Sequence, residues 1–157
     1  MNQNQNKLLK GEFYEKWLPL PDISPNLSVF AFHYDYEGFR VLLVDEIRKE
    51  EKYKNVFDKN DFLLKISFVK HLAFRVTDEM FRLKTYDEYQ GEKDWMLYEI
   101  KNSSWIRFFN EESLEIYAAQ EIKHYAIFTG NEFLEFLVDS EQDIKVEWFE
   151  ANVWFFK

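Results

Sequence analysis

Three histidines are the first candidates for acid–base or metal chemistry, because imidazole titrates near neutral pH and binds zinc. They are His33, His71 and His124, and none belongs to a paired spacing such as H-x-H or H-E-x-x-H. His33 and His124 each precede a tyrosine within an apparent strand. The pattern favours ordinary strand or turn histidines, with the alternative that two neighbouring strands bring these two imidazoles together.

A second candidate is the tripeptide Glu-x-Lys, which occurs at residues 99–101 and again at 121–123. In metal-dependent phosphodiesterases such a carboxylate holds the cation and the lysine steadies the attacking water or the phosphate. The acid that should complete the site has no counterpart here, because Asp87 and Asp94 do not fall on a convincing strand. Surface charges on or beside strands are therefore the favoured interpretation.

Several classes of site are excluded by residue type. The chain has no cysteine, so it has no thiolate nucleophile, no disulfide and no cysteine-ligated metal. Its four glycines cannot form a dinucleotide fingerprint or a P-loop. No G-x-S-x-G turn surrounds Ser103, Ser104 or Ser113. We therefore predict no catalytic residue, no cofactor and no metal, and expect a protein that is not an enzyme.

Charge is the least ordinary feature, with 29 acidic and 20 basic residues and a net charge of −9. This balance argues against nucleic acid as a partner. Residues 130–157 contain seven acids interleaved with Phe and Trp. Aromatic anchors within a negative field suit the capture of a basic protein. The predicted partner-binding residues are Glu132, Glu135, Asp139, Glu141, Glu147, Trp148 and Glu150.

Three other interpretations of the same residues stay open. The acids can serve solubility alone while the aromatics fill a core. A small-ligand-binding protein or enzyme would use a pocket between sheet and helix, with His33, His124 and Tyr125 as its polar contacts. A structural subunit of a homo-oligomer would pack the apolar tail, Trp154 to Phe156, against another copy.

The elements that must position these residues are mainly strands. Leu27 to Asp45 reads as a hairpin with its turn at residues 35–38, and Gly130-Asn131 marks a second hairpin. Apolar residues occupy even positions from Phe62 to Val76, which predicts one long strand or two in register. Asn102-Ser103 can cap a helix that carries Trp105, Phe108 and Phe109 as an aromatic stripe.

These elements predict an α+β fold, a mostly antiparallel β-sheet with a few packing helices. Residues 1–157 should form a single domain, with residues 1–11 as a flexible lead. We expect the core to come chiefly from the even face of residues 62–76 and from the helix stripe. No signal sequence or bilayer-spanning run is found, so we expect a cytoplasmic protein without a membrane partner.

One stretch of the chain resembles a group of known proteins. It runs from Asn102-Ser103-Ser104-Trp105 through His124-Tyr125-Ala126-Ile127-Phe128-Thr129 to Phe133-Leu134-Glu135, and it resembles small bacterial proteins found among immunity-like genes. In those proteins a short aromatic helix precedes a terminal hairpin. The resemblance implies a cytoplasmic inhibitor that binds and neutralises a toxin without catalysis, and it implies no individual site residue.

Overall fold

The computed structural model describes residues 11–45, 62–88, 90–91 and 94–150. Within these ranges the chain forms ten strands and two short α-helices. The strands are β1 (Phe13–Lys16), β2 (Leu27–Asp35), β3 (Gly38–Asp45), β4 (Phe62–Phe68), β5 (Ala73–Asp78), β6 (Gln90–Gly91), β7 (Leu97–Lys101), β8 (Lys123–Phe128), β9 (Glu132–Val138) and β10 (Ile144–Glu150). The helices are α1 (Leu83–Glu88) and α2 (Ser104–Glu112).

The strands are divided between two sheets. The larger has six strands in the order β5-β9-β8-β7-β1-β6, and the smaller has four in the order β10-β4-β3-β2. Neighbouring strands run antiparallel throughout, except that β6 lies parallel to β1. The prediction of mostly antiparallel strands with a few helices is therefore confirmed. Both predicted hairpins are also confirmed, as β2–β3 and β8–β9.

The main core lies between the two sheets, which pack face to face. Phe136 of β9 stacks on Phe68 of β4 with ring centroids 3.8 Å apart, and it meets Phe39 of β3 edge to face at 4.9 Å. All three side chains are almost completely buried. Alternate residues of each strand supply this layer, because successive side chains of a strand point to opposite faces.

Helix α2 covers part of the outer face of the larger sheet rather than the main core. Ser103 caps it as predicted, since its Oγ accepts a hydrogen bond from Ile106 N at 3.1 Å. However, no residue of α2 is fully buried, and Phe108 is 57% exposed. The prediction that the helix stripe fills the core is therefore wrong, because the second sheet already closes the opposite, inner face.

The alternating stretch from Phe62 to Val76 forms two strands that belong to different sheets. Leu64, Ile66 and Phe68 are buried in the smaller sheet, as their even positions predict. Residues 69–72 then cross to the larger sheet, where β5 pairs with β9. Alternation identifies the apolar face of each strand, but it contains no information about which strand becomes its neighbour.

Some predictions fall on parts of the chain outside the described residues. These are the flexible lead, apart from Gly11, and the apolar tail, Trp154 to Phe156. In the described ranges, no helix has the length and apolar character that a bilayer crossing requires.

Candidate functional site

A completely buried carboxylate lies on the second strand of the larger sheet. Glu135 of β9 has no exposed surface, and its two oxygens accept hydrogen bonds from Arg75 of β5 at 2.6 and 2.7 Å. Arg82, which precedes α1, also pairs with both oxygens. Arg75 is placed by the strand register, because it lies directly opposite Glu135 in the antiparallel β5–β9 pair. Two guanidinium groups therefore neutralise one buried acid.

The same carboxylate contacts a buried histidine. His124 of β8 is completely buried, and its Nε2 lies 3.3 Å from Glu135 Oε1, within ion-pair distance but outside hydrogen-bond geometry. Its Nδ1 is joined to Ser103 Oγ by a hydrogen bond of 2.8 Å. Trp105 meets the imidazole edge to face at 5.1 Å and also stacks under the Arg75 guanidinium at 4.3 Å.

These contacts determine the ionisation of Glu135. Burial alone would raise the pKa of the carboxyl, because a charge is poorly solvated inside a protein. The contacts with His124, Arg75 and Arg82 outweigh burial and hold the pKa of Glu135 far below its usual value. Glu135 is therefore an anion at neutral pH, and it ties β5, β8 and the segment before α1 together.

Ser103, His124 and Glu135 follow one another as in a hydrolase triad, but their environment does not suit nucleophilic catalysis. Ser103 is only 4% exposed, and its hydroxyl oxygen already caps α2. Glu135 is bound by two guanidinium groups, so it is not reserved for orienting the imidazole. The cluster instead fastens the start of α2 to the sheet.

The structure disperses the predicted partner-binding residues. The prediction that Glu135 binds a partner is wrong, because this side chain is completely buried between the larger sheet and the helix. Trp148 packs against the main core, since its strand position faces the other sheet. Glu141 pairs with Lys123, and Glu147 pairs with Lys65 at 2.5 Å on the outer face of the smaller sheet. Glu132 accepts a hydrogen bond from Thr129, and Asp139 is exposed. The side chain of Glu150 is not among those that the structure describes.

The predicted ligand pocket does not form as expected. His33 lies on β2 of the smaller sheet, is half exposed, and has its Nε2 3.1 Å from Asp35. His124 is enclosed in the other sheet, so the two imidazoles do not face one bound group. Tyr125 points to the opposite side of β8 from His124, where it lines a different cavity, a cleft between the two sheets.

The first Glu-x-Lys tripeptide places both charges on one face of β7, where they form an ion pair rather than a metal site. Lys101 pairs with Glu99 and also lies 3.2 Å from Glu15 on the neighbouring strand. Among the described residues, no group of three or more His, Asp or Glu side chains is arranged to hold a metal ion.

An exposed aromatic surface lies at the open side of the sandwich, where β2 and β5 are the outermost strands of their sheets. Tyr34 contacts Phe74 across the two sheets at 5.0 Å, and His71 meets both rings edge to face. We call this group the edge surface. Its members and exposed fractions are Phe32 (49%), Tyr34 (58%), Phe74 (36%) and Val76 (38%), with the partly buried His71 between them.

The edge surface has two features beyond its exposure. Phe39 lies beneath it, 4.8 Å from Phe74 and 5.9 Å from Phe32, so the exposed rings rest on the rigid core. His71 Nδ1 is buried and has no hydrogen-bond partner among the described residues. Buried polar atoms are nearly always satisfied, so an unsatisfied one at a surface calls for an explanation.

The sequence contained partial signals for these residues. Glu135 is a single charge within the apolar run from Phe133 to Leu137, and such a residue must be paired if the run is a buried strand. Arg75 could be proposed as a partner from its place on the polar face of β5. The edge surface had no such signal, because Phe32 and Phe74 look like core residues of their strands.

Comparison of the chain with protein-family models, with curated proteins and with solved structures gives no match.

Proposed function

We propose that this protein is a non-enzymatic, acidic protein-binding domain that captures a basic partner protein through the edge surface. The observation that carries the proposal is the exposure of Phe32 and Tyr34, about half of each side chain, on the inward face of a sandwich. Residues in such positions are normally covered. Contiguous apolar surface that remains exposed is typical of protein interaction sites.

Charge supports a basic partner. The chain has a net charge of −9, and acids flank the edge surface at Asp35, Glu37 and Asp78. Of the cations nearby, Arg40 is already paired with Asp35 and Glu37, and Lys70 is exposed beside His71. A negative rim around an aromatic centre speeds the encounter with a positively charged protein. The aromatic rings, once the partner covers them, supply most of the affinity.

The finer proposal is an immunity protein that acts in the cytoplasm and neutralises a toxin. It rests on the resemblance of residues 102–135 to immunity-like proteins and on the acidic balance of the chain. Basic nuclease toxins are one class of partner whose charge would match. The inhibitor would block such a toxin by occupying its positively charged substrate face, which needs no catalytic group of its own.

The proposal is tested by co-purifying the protein with purified basic products of its neighbouring genes and measuring affinity with increasing salt. We expect Phe32→Ala and Tyr34→Ala each to weaken the complex at least about tenfold, because aromatic anchors dominate interface energy. Leu114→Ala is the control, since Leu114 is 85% exposed but lies after α2, away from the edge surface.

Three outcomes would contradict the proposal. The first is the absence of a complex with any basic neighbouring product, and the second is a complex whose affinity is unchanged in both aromatic variants. The third is a homodimer in solution that Tyr34→Ala dissociates, because the edge surface would then be covered by a second copy. A complex whose affinity does not fall with salt would exclude the electrostatic part.

A further inference from the structure

We propose that the cleft between the two sheets, on the side of the sandwich opposite the edge surface, binds a small organic cation with an apolar stem. The cleft has a volume of about 320 Å³. It is lined by Trp17, Pro19, Glu99, Tyr125, Glu141, Ile144 and Val146. The ligand class is an alkylguanidinium or alkylammonium group. This site is independent of the proposed protein-binding function.

The cleft exists because the two sheets differ in width. The four-stranded sheet ends at β10, which lies over β8, whereas the six-stranded sheet continues through β7 and β1. The inward residues of these last strands therefore have no second sheet above them. Glu99 of β7 and Tyr125 of β8 lie opposite each other on this inward face.

One wall of the cleft is aromatic and firmly held. Trp17 lies against Tyr125 with ring centroids 4.7 Å apart. The backbone of Trp17 donates to Leu97 O at 2.9 Å, and its carbonyl accepts from Trp95 Nε1 at 3.0 Å. An indole face that is fixed in this way can attract a cation through its ring electrons.

The other surfaces of the cleft supply apolar contact and two carboxylates. Ile144 and Val146 of β10 form an aliphatic wall that suits an alkyl stem. Glu99 and Glu141 supply the carboxylates, and the Tyr125 hydroxyl donates to Glu141 Oε1 at 3.2 Å. A cavity of this size that combines an aliphatic wall with a few converging polar groups suits a small ligand that has both a charged head and an apolar stem.

The charges around the cleft do not cancel. Lys101 pairs with Glu15 and Glu99, and Lys123 pairs with Glu141. Glu121 interacts electrostatically with Lys123 as a fourth acid. This network of four carboxylates and two ammonium groups has a combined charge of −2. An anionic ligand would be repelled, whereas a cation would be attracted.

The contacts among Lys123, Glu141 and Tyr125 shift the pKa values of all three groups. Hydrogen bonding from Lys123 lowers the pKa of Glu141, and the same bond raises the pKa of Lys123. Burial raises the pKa of Tyr125, so the phenol keeps its proton and remains a donor. Glu141 is therefore charged at neutral pH while the Tyr125 hydroxyl is neutral.

The experiment compares butylguanidinium with butylurea, a neutral molecule of nearly the same shape, by NMR titration of the full chain. We expect a Kd of about 1 mM for the cation, in the range of a ligand with eight heavy atoms, and binding at least tenfold weaker for the urea. Equal binding of the two probes, or no binding of either at about 10 mM, would overturn the proposal.

Two variants locate the bound cation. Glu99→Gln and Trp17→Ala should each weaken butylguanidinium at least about fivefold. Glu147→Gln, on the outer face of the smaller sheet, should leave the affinity unchanged. Equal loss in all three variants would assign the binding to general surface charge. Thermal unfolding of each variant separates loss of the site from loss of the fold.

A guanidinium group can come from a free metabolite or from an arginine side chain of another protein. A capped tripeptide with arginine at its centre separates these sources. Tighter binding of the tripeptide than of butylguanidinium would identify a protein side chain as the natural ligand, whereas steric exclusion of the tripeptide would identify a free cation. Both results retain the cation site, and neither depends on the edge surface.

Discussion

At the scale of the residue, Glu135 shows how position changes the role of a charged side chain. A carboxylate inside a sheet loses its hydration, and this loss costs several kcal/mol unless partners replace the water. Arg75 and Arg82 supply those partners from both sides of the acid. The same glutamate on the surface would be a recognition residue, whereas here it holds the helical layer to the sheet.

The substitution Glu135→Gln should lower the free energy of unfolding by about 3 kcal/mol at pH 7, because it leaves two guanidinium groups without a counter-charge. Chemical denaturation of the wild type and the variant measures this difference. Glu147→Gln is the control, since the Glu147 side chain is 57% exposed and its ion pair should contribute no more than about 1 kcal/mol.

The difference between wild type and Glu135→Gln should also depend on pH. Since folding lowers the pKa of Glu135 below its ordinary value of 4.5, the ionised acid stabilises the fold fully above that pH. Its contribution is lost as the pH falls from 4.5 toward the folded-state pKa. Denaturation curves at pH 7 and pH 3 should therefore show a smaller difference at pH 3. A constant difference would contradict the assigned pairing.

At the scale of the element, the β2–β3 hairpin depends on one glycine. Gly38 has φ of +106°, a conformation that other residues rarely adopt, and Asp35 Oδ1 accepts the Glu37 amide within the turn. A Cβ at Gly38 would lie 2.4 Å from the backbone oxygen of Phe68. The turn therefore packs directly against the end of β4, and any side chain at position 38 would collide with the backbone there.

Gly38→Ala should lower the free energy of unfolding by about 2 to 3 kcal/mol, through both the positive φ and the backbone clash. Gly130→Ala, in the turn of the other hairpin, is the matched control. A Cβ there meets no atom within 4 Å, so we expect a change below about 0.5 kcal/mol. Equal stabilities of the two variants would contradict the close contact at Gly38.

At the scale of the whole molecule, two sheets of unequal width create both candidate surfaces. Their overlap buries a continuous aromatic layer around Phe136. On one side the edge strands β2 and β5 leave Tyr34 and Phe74 uncovered, and on the other side β7 and β1 extend past β10 to form the cleft. The candidate binding sites are therefore the two margins of one sandwich.

Phe136→Ala should lower the free energy of unfolding by about 3 to 5 kcal/mol, since the ring is completely buried between the sheets and leaves a cavity. Thermal or denaturant unfolding measures the loss. Phe108→Ala provides the comparison, because that ring is 57% exposed on α2 and its removal should cost far less. A similar loss in both variants would place the main core on the helix side instead.

The sequence by itself determined the local elements. Alternation located β4 and β5, Gly38 and Gly130 marked two hairpins, and Ser103 was identified as a helix cap, because these features depend on residues close together in the chain. The short strands β1 and β6 and the helix α1 were not predicted. It also determined the charge balance and excluded thiol chemistry. The cap was predicted without its second role, the contact with His124.

Only the tertiary structure decided which of these residues meet. It placed β4 and β5 in different sheets, buried Glu135 with Arg75 and Arg82, turned Trp148 toward the core, and separated His33 from His124. Strand order and sheet overlap arise from contacts between residues far apart in the chain. Alternation shows which face of a strand is apolar, but not what will cover it.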